Sequence, residues 1–213
     1  GSQYVGMGED IFNQSPAVQE TYELASDILG FNLQDISFYG TEKILKETKY
    51  AQPAIFVHSI IVDKFLKGKN IMPDAVAGHS LGEFSALVSA NVLSFEDALN
   101  IVKIRSNEMD KTCQVSAGTM AAIIGANDEQ LSTICKQDGI VVPANINSPE
   151  QIVISGDNNA VESALITAKN IGIRSVIKLN VAGAFHSPLM NPVRKSLSNA
   201  IKSVEFQDAS IPV

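Results

Sequence analysis

Residues 78–82 read Gly-His-Ser-Leu-Gly, and this Gly-x-Ser-x-Gly pattern is typical of a serine on a sharp turn between a strand and a helix. A serine hydroxyl is a poor nucleophile at neutral pH, so it needs a base and hydrogen-bond donors for the oxyanion that forms. The amide of Leu81 lies at the predicted start of a helix, where unpaired N–H groups and the helix dipole favour negative charge. We therefore predict that Ser80 is a nucleophile and that the Leu81 amide is an oxyanion donor. The alternative is a glycine-rich turn whose serine only caps the helix.

The base for Ser80 must come from three histidines. His79 neighbours Ser80 along the chain, so its side chain starts in a different direction. His58 lies in an apolar predicted helix and is most simply a core histidine with one satisfied nitrogen. His186 lies on a predicted loop before a helix, and catalytic residues are often found on such loops. We predict that His186 is the general base, a role that typically contributes a factor of about 10²–10⁴ to the rate.

Arg105 lies on the apolar face of a predicted helix that begins after Ser94. It follows Val102 by three positions and precedes Met109 by four, and residues at these spacings share one helix face. A guanidinium on an inward face is costly unless it meets an anion. Two interpretations stay open: a buried ion pair with a protein carboxylate, or a fork that binds the carboxylate of a substrate. A simple esterase has no need of the second.

The elements that must position these residues follow from hydrophobic spacing and from turn residues. Helices are predicted over 14–29, 51–66, 81–91, 95–111 and 188–203, and a buried strand over 74–79, directly before Ser80. From Thr119 to Leu179 the pattern predicts the order β-α-β-β-α-β, which is the ferredoxin-like plan. The sequence therefore predicts an α/β fold in which a larger unit, residues 1–116 and 181–213, contains a small inserted α+β subdomain, residues 117–180.

Composition excludes several classes of protein. The chain has 213 residues and a net charge of −7, so it has no overall attraction for nucleic acid or for an anionic membrane. Its two cysteines, Cys113 and Cys135, lack the spacing of a zinc site, and we expect free thiols, no metal and a cytoplasmic location. No apolar run reaches the roughly 20 residues of a membrane span, and no signal peptide is visible.

Six stretches together resemble one family. They are GSQYVGMG (1–8), AQPAIF (51–56), GHSLGE (78–83), IVKIRSNEM (101–109), NSPEQIVISG (147–156) and GAFHSPLM (183–190). Their order along the chain is similar to that of the malonyl-CoA:acyl carrier protein transacylase family, the acyltransferases of fatty-acid and polyketide synthesis. The resemblance implies an α/β-hydrolase-like core with a ferredoxin-like insert, in agreement with the predicted elements.

The resemblance also implies roles for individual residues. Ser80 matches the serine that is acylated, His186 its catalytic partner, and Leu81 the residue whose amide forms half of the oxyanion hole. Arg105 matches the arginine that binds the malonyl carboxylate, and Met109 matches a position that lines the acyl pocket. The implied reaction moves a malonyl group from malonyl-CoA to the phosphopantetheine thiol of acyl carrier protein, with no cofactor. Both molecules are then the expected partners.

The chain departs from the family pattern at both ends. Members begin with an apolar strand and the motif G-Q-G-x-Q, of which Gly1-Ser2-Gln3 matches only the last three positions. We therefore expect that the first strand and a C-terminal portion are missing. Two other functions stay open: a serine hydrolase or thioesterase, for which Asp97 or Asp110 could complete a triad, and a non-catalytic module that binds acyl carrier protein.

Overall fold

The computed structural model describes residues 2–213 and divides the chain into two compact units. The first unit comprises the chain up to Glu108 together with Lys195–Val213, and the second comprises Met109–Arg194. The second unit contains the whole segment for which the β-α-β-β-α-β order was predicted. It also contains the end of the long helix that carries Arg105 and the loop that carries His186.

The first unit is built mainly from helices packed around one buried apolar cluster, with Tyr22 and Phe56 among its largest fully buried side chains. The helices are α1 (Glu9–Gln14), α2 (Pro16–Leu29), α3 (Glu42–Leu45), α4 (Thr48–Gly68), α5 (Gly82–Ser89), α6 (Phe95–Val115) and α9 (Val193–Lys202). A π-helical turn spans Asp35–Tyr39. The predicted helices are confirmed, with ends shifted by a few residues, whereas α1, α3 and the π-helical turn were not predicted.

The start of α6 shows why this helix begins where it does. The Asp97 amide donates to Ser94 Oγ at 3.0 Å, and the Ser94 hydroxyl donates to the Asp97 carboxylate at 2.8 Å. This reciprocal arrangement satisfies a backbone donor that a helix start leaves unpaired. The helix then continues four residues past its predicted end, to Val115, and it carries Arg105 in the first unit.

The strand predicted over 74–79 is wrong. The chain there contains no strand, and one backbone hydrogen bond, from the Val76 amide to the Pro212 carbonyl at 2.9 Å, joins it to another described segment. A strand is defined by a ladder of such bonds with a neighbour, and an apolar run by itself does not supply the neighbour. The segment nevertheless leads directly into the Ser80 turn, as expected.

The second unit contains a four-stranded antiparallel sheet with the order β2-β3-β1-β4. Its elements are β1 (Gly118–Ile124), α7 (Asp128–Cys135), β2 (Val141–Ser148), β3 (Gln151–Asp157), α8 (Asn158–Asn170) and β4 (Ser175–Lys178), followed by a short 3₁₀ helix, Pro188–Met190. The protein is therefore of mixed α/β class, as predicted.

Both faces of this sheet are covered. Ala121 and Ile123 of β1 belong to the cluster that α7 and α8 complete, whereas Met120 and Ala122 belong to a second, smaller cluster. Because successive side chains of a strand point to opposite faces, a strand covered on both sides reads as the continuous apolar run seen at 120–124. Phe185 packs on the second cluster, and this contact anchors the loop that carries His186.

The two cysteines are free thiols, as predicted, and both are half-buried. Burial raises the pKa of Cys113 above its usual range and raises the pKa of Cys135 to about 11. Across residues 2–213, no helix is both long enough and apolar enough to cross a bilayer. The same residues contain no cluster of three or more His, Cys, Asp or Glu side chains that could hold a metal ion.

Candidate active site

Ser80 occupies a sharp turn at the entrance to α5. Its φ of 56° lies in the left-handed region, which residues other than glycine rarely adopt. The Gly82 amide donates to the His79 carbonyl at 3.0 Å and the Glu83 amide to the Ser80 carbonyl at 3.3 Å, so the chain turns from the serine into α5, which begins two residues later. Backbone strain of this kind persists where the surrounding structure enforces it, and it is concentrated at functional sites.

Gly78 allows this turn to form. A Cβ atom at Gly78 would lie 2.1 Å from the amide nitrogen of Glu83 and 2.1 Å from the carbonyl carbon of Gly82. These distances are far inside van der Waals contact, so no other residue fits there without moving the backbone. A Cβ atom at Gly82 would meet no atom within 4 Å. Of the two glycines in the motif, sterics therefore require the first and not the second.

The backbone amide of Leu81, the predicted oxyanion donor, lies at the start of α5. Leu81 has helical torsion angles, φ −57° and ψ −37°, and directly precedes α5. Within the part of the chain that the structure describes, its N–H donates no hydrogen bond. A free amide at a helix start is a favourable neighbour for developing negative charge.

Arg105 lies beside Ser80, with its side chain turned inward from α6 and only 9% of its surface exposed. Its Nη2 donates to Ser80 Oγ at 2.9 Å, and its Nη1 donates to Oε1 of the buried Gln52 on α4. The predicted inward orientation is therefore confirmed. It places a fixed positive charge next to the candidate nucleophile.

The guanidinium of Arg105 donates hydrogen bonds to two neutral acceptors, Gln52 Oε1 and Ser80 Oγ. In residues 2–213, no carboxylate forms an ion pair with Arg105, so the first of the two interpretations drawn from the sequence, a buried ion pair with a protein carboxylate, is wrong. Burial lowers the pKa of Arg105, and the negative charge of Glu83 partly offsets this effect. Because an arginine stays protonated in proteins, Arg105 places a positive charge beside Ser80 without a direct carboxylate partner in the described residues.

His186 lies on a tightly held loop of the second unit. Its φ of 59° is left-handed, like that of Ser80, and its side chain is exposed. The Ser187 hydroxyl donates to the Ala184 carbonyl at 2.7 Å and accepts from the Leu189 amide at 3.2 Å. A Cβ atom at Gly183 would lie 2.3 Å from the sulfur of Cys113, so a larger residue there would have to displace the Cys113 side chain. The loop conformation is therefore fixed by contacts within its own unit.

A model of the acyl transferase domain family matches residues 1–213. The chain belongs to the acyl transferase family. A curated malonyl CoA-acyl carrier protein transacylase of Staphylococcus aureus (strain COL) is 40% identical to it, over 100% of this chain and 70% of that protein. This acyl transferase therefore spans about 70% of the length of that relative.

Two solved structures are similar to this acyl transferase over its whole length. A malonyl-CoA:acyl carrier protein transacylase from Xanthomonas oryzae matches with a TM-score of 0.93 and 37% identity, over 100% of this chain and 69% of that chain. A structure of a type II polyketide synthase acyl carrier protein in complex with its malonyl-transacylase also matches. Its TM-score is 0.93 and its identity 37%, over 100% of this chain and 70% of that chain. The family resemblance predicted from the sequence is thus confirmed.

The predicted site residues of the acyl transferase fall in both units. Ser80, Leu81 and Arg105 belong to the first unit, where Arg105 contacts Ser80 directly. Met109 and His186 belong to the second, and Met109 is a buried residue of α6, with 7% of its surface exposed.

Sequence reasoning assigned no role to Gln52, which contacts Arg105. The motif AQPAIF was recognised as a whole, but the glutamine in it was not singled out. A signal was present, because Gln52 is a polar residue between apolar ones in a predicted core helix, and it is buried with 8% exposed. A buried amide needs hydrogen-bond partners, so such a position predicts a polar neighbour on another element.

Proposed function

We infer that this protein is a transacylase that moves a malonyl group from malonyl-CoA to the phosphopantetheine thiol of acyl carrier protein. The observation that carries the proposal is the buried guanidinium of Arg105, 2.9 Å from Ser80 Oγ and paired with neutral acceptors. In a malonyl thioester, one methylene separates the carboxylate from the carbonyl carbon under attack. A cation in contact with the nucleophile is therefore correctly placed for that carboxylate, whereas an acetyl group has no carboxylate that the cation could bind.

The proposed reaction has two steps. His186 accepts the proton of Ser80, and the hydroxyl oxygen attacks the thioester carbonyl carbon of malonyl-CoA. The Leu81 amide donates to the resulting oxyanion, which then collapses with cleavage of the C–S bond. The CoA thiolate takes the proton from His186, and a malonyl ester remains on Ser80. The carrier-protein thiol then gives its proton to His186, and its sulfur attacks the carbonyl carbon of the malonyl ester. The C–O bond to Ser80 breaks, the malonyl group remains on the carrier-protein sulfur as a thioester, and Ser80 Oγ takes the proton back from His186.

Arg105 and Met109 have supporting roles in the proposal. Arg105 holds the malonyl carboxylate through both steps, which positions the ester for the incoming thiol rather than for water. Met109, an apolar side chain, lines the acyl pocket. The steps use only side chains, one backbone amide and the two thiols, and we propose no cofactor.

The proposal also covers the finer fold and the location. The β-α-β-β-α-β order and the strand order β2-β3-β1-β4 support a ferredoxin-like subdomain in the second unit. We also propose an α/β-hydrolase-like core for the first unit; the turn from Ser80 into α5 supports it, whereas the segment before that turn, 74–79, forms no strand. Two free thiols are compatible with the reducing cytoplasm, where the substrates of this reaction would be met.

Intact-protein mass spectrometry after mixing with malonyl-CoA tests the function. We expect one malonyl adduct that maps to Ser80, that is absent in Ser80→Ala and that is discharged by the thiol of holo acyl carrier protein. An adduct discharged equally fast by water alone would identify a hydrolase. Absence of any adduct, with carrier protein still bound, would identify a non-catalytic binding module.

The hydrolase alternative receives no support from its candidate triad acids. The Asp97 carboxylate accepts the Ser94 hydroxyl as part of the cap of α6. The Asp110 carboxylate accepts from the Gln114 amide one turn further along the same helix. Both interactions are local to α6 and serve the helix itself.

A further inference from the structure

We propose that Gln52 determines acyl-group specificity: its neutral amide oxygen fixes the Arg105 guanidinium beside Ser80 and leaves its positive charge for the carboxylate of the substrate. This inference rests on the proposed malonyl transfer and extends it to a second residue. It assigns Gln52 as a positioning residue, because it acts on the acyl group through Arg105.

The contact is buried and is made between two different helices. Gln52 lies in the second turn of α4, and Arg105 lies near the middle of α6, with 8% and 9% of their surfaces exposed. Gln52 Oε1 accepts from Nη1, whereas Ser80 Oγ accepts from Nη2. The two acceptors therefore hold the two ends of the guanidinium fork and define its plane.

The side chain of Gln52 is buried, with 8% of the residue's surface exposed. Both Gln52 and Arg105 are buried, so little water competes for the hydrogen bond between them. The arrangement thus keeps the guanidinium in place before a substrate arrives, and such preorganisation reduces the cost of binding.

The chemical type of the acceptor matters as much as its position. A glutamate at position 52 has the same length and would also accept from Nη1, but it would form a buried ion pair with Arg105. A malonyl carboxylate would then have to compete with a permanent anion for the same cation. The negative charge of Glu83 acts on Arg105, but Glu83 is exposed, so solvent screens that charge. An amide therefore orients the arginine without neutralising it.

The decisive experiment measures malonyl and acetyl transfer to Ser80, from malonyl-CoA and acetyl-CoA, in the wild-type protein and in Gln52→Glu. We expect the malonyl rate to fall by about 10²-fold, the factor for losing a charge-assisted hydrogen bond to substrate, whereas the acetyl rate changes by less than about threefold. Gln14→Glu, at an exposed position on α1, is the control for the added charge and should match the wild type in both.

A second variant keeps the proposal testable if Gln52→Glu folds poorly. Gln52→Leu removes the acceptor without adding a charge, and we expect a raised KM for malonyl-CoA with an acetyl rate close to that of the wild type. A wild-type ratio of malonyl to acetyl transfer in either folded variant would overturn the role of Gln52. Failure of the wild-type protein to form a malonyl adduct would instead overturn the proposed function, so the two failures are distinguishable.

Discussion

The Cα of Gly78 packs directly on the backbone amide of Glu83, so closely that a methyl group on Gly78 would lie 2.1 Å from the Glu83 nitrogen. Two segments that are five residues apart in sequence thus touch backbone to backbone. This contact folds the chain back on itself around Ser80 and holds the serine at its left-handed φ of 56°. The geometry of the candidate nucleophile therefore depends on the absence of a side chain two positions before it.

Gly78→Ala should disrupt the turn, and Gly82→Ala should not. The first change forces a methyl group into the backbone, and overpacking of this kind costs about 1–3 kcal/mol. The second places a methyl group in open space at the first residue of α5, where alanine favours the helix by about 0.5–1 kcal/mol. Urea denaturation with malonyl labelling of Ser80 checks both variants. Equal stability and labelling in the two variants would contradict the steric account.

Arg105→Ala should abolish the preference for malonyl over acetyl groups. Loss of the guanidinium removes a charged hydrogen bond to the substrate carboxylate, and we expect malonyl transfer to fall by about 10²-fold or more relative to acetyl transfer. Arg105→Lys is the matched control, since it keeps the charge but cannot contact Gln52 and Ser80 with one planar fork. We expect it to retain part of the preference. Equal losses for both acyl groups in Arg105→Ala would argue against a role in carboxylate binding.

The inward position of Arg105 could be predicted from the sequence because helical periodicity determines it. Arg105 was assigned to an inward face because positions three and four apart share one side of a helix, and the structure places it there, beside Ser80. Gln52 has the same kind of signal but was missed, because spacing along one helix does not reveal which residue on another helix lies opposite. Contacts between elements depend on the packing of the whole unit.

For the fold, the order of the elements could be predicted from the sequence, but their pairing could not. The helix and strand order of the second unit follows from turn residues and apolar runs, but the register that pairs Gly118 with Asp157 does not. The apolar run at 74–79 failed as a strand because its assignment needs a partner that a local pattern does not contain. The π-helical turn at Asp35–Tyr39 was also missed, since its few residues show no period.

Both cysteines should react slowly with iodoacetamide in the folded protein at pH 7.5. Burial raises the pKa of both thiols, to about 11 for Cys135, so the reactive thiolate is scarce. Mass spectrometry should show labelling of both residues accelerating in urea, by at least about tenfold for Cys135, because the ordinary thiol pKa near 8.5 is then restored. Fast labelling of Cys135 in the native state would show that solvent reaches its thiol and would contradict this prediction.

Stability should decrease as the pH falls through the range in which a free histidine titrates. Nδ1 of His58 is buried and has no hydrogen-bond partner in residues 2–213, and burial lowers its pKa in the folded state. As the pH falls, His58 of the unfolded chain binds a proton at about pH 6.5, before His58 of the folded protein does. The contribution of His58 to the free energy of unfolding is therefore complete above that pH and is lost below it.

The variant His58→Gln isolates this effect, because glutamine does not titrate. We expect the free energy of unfolding of the wild type to fall more between pH 7.5 and 5.5 than that of His58→Gln, measured by urea denaturation at each pH. Identical slopes in the wild type and His58→Gln would show that His58 titrates alike in the folded and unfolded chain. The buried nitrogen would then have to be reached by water, which the packing around Gly8 opposes, since a Cβ there would lie 2.8 Å from His58 Nδ1.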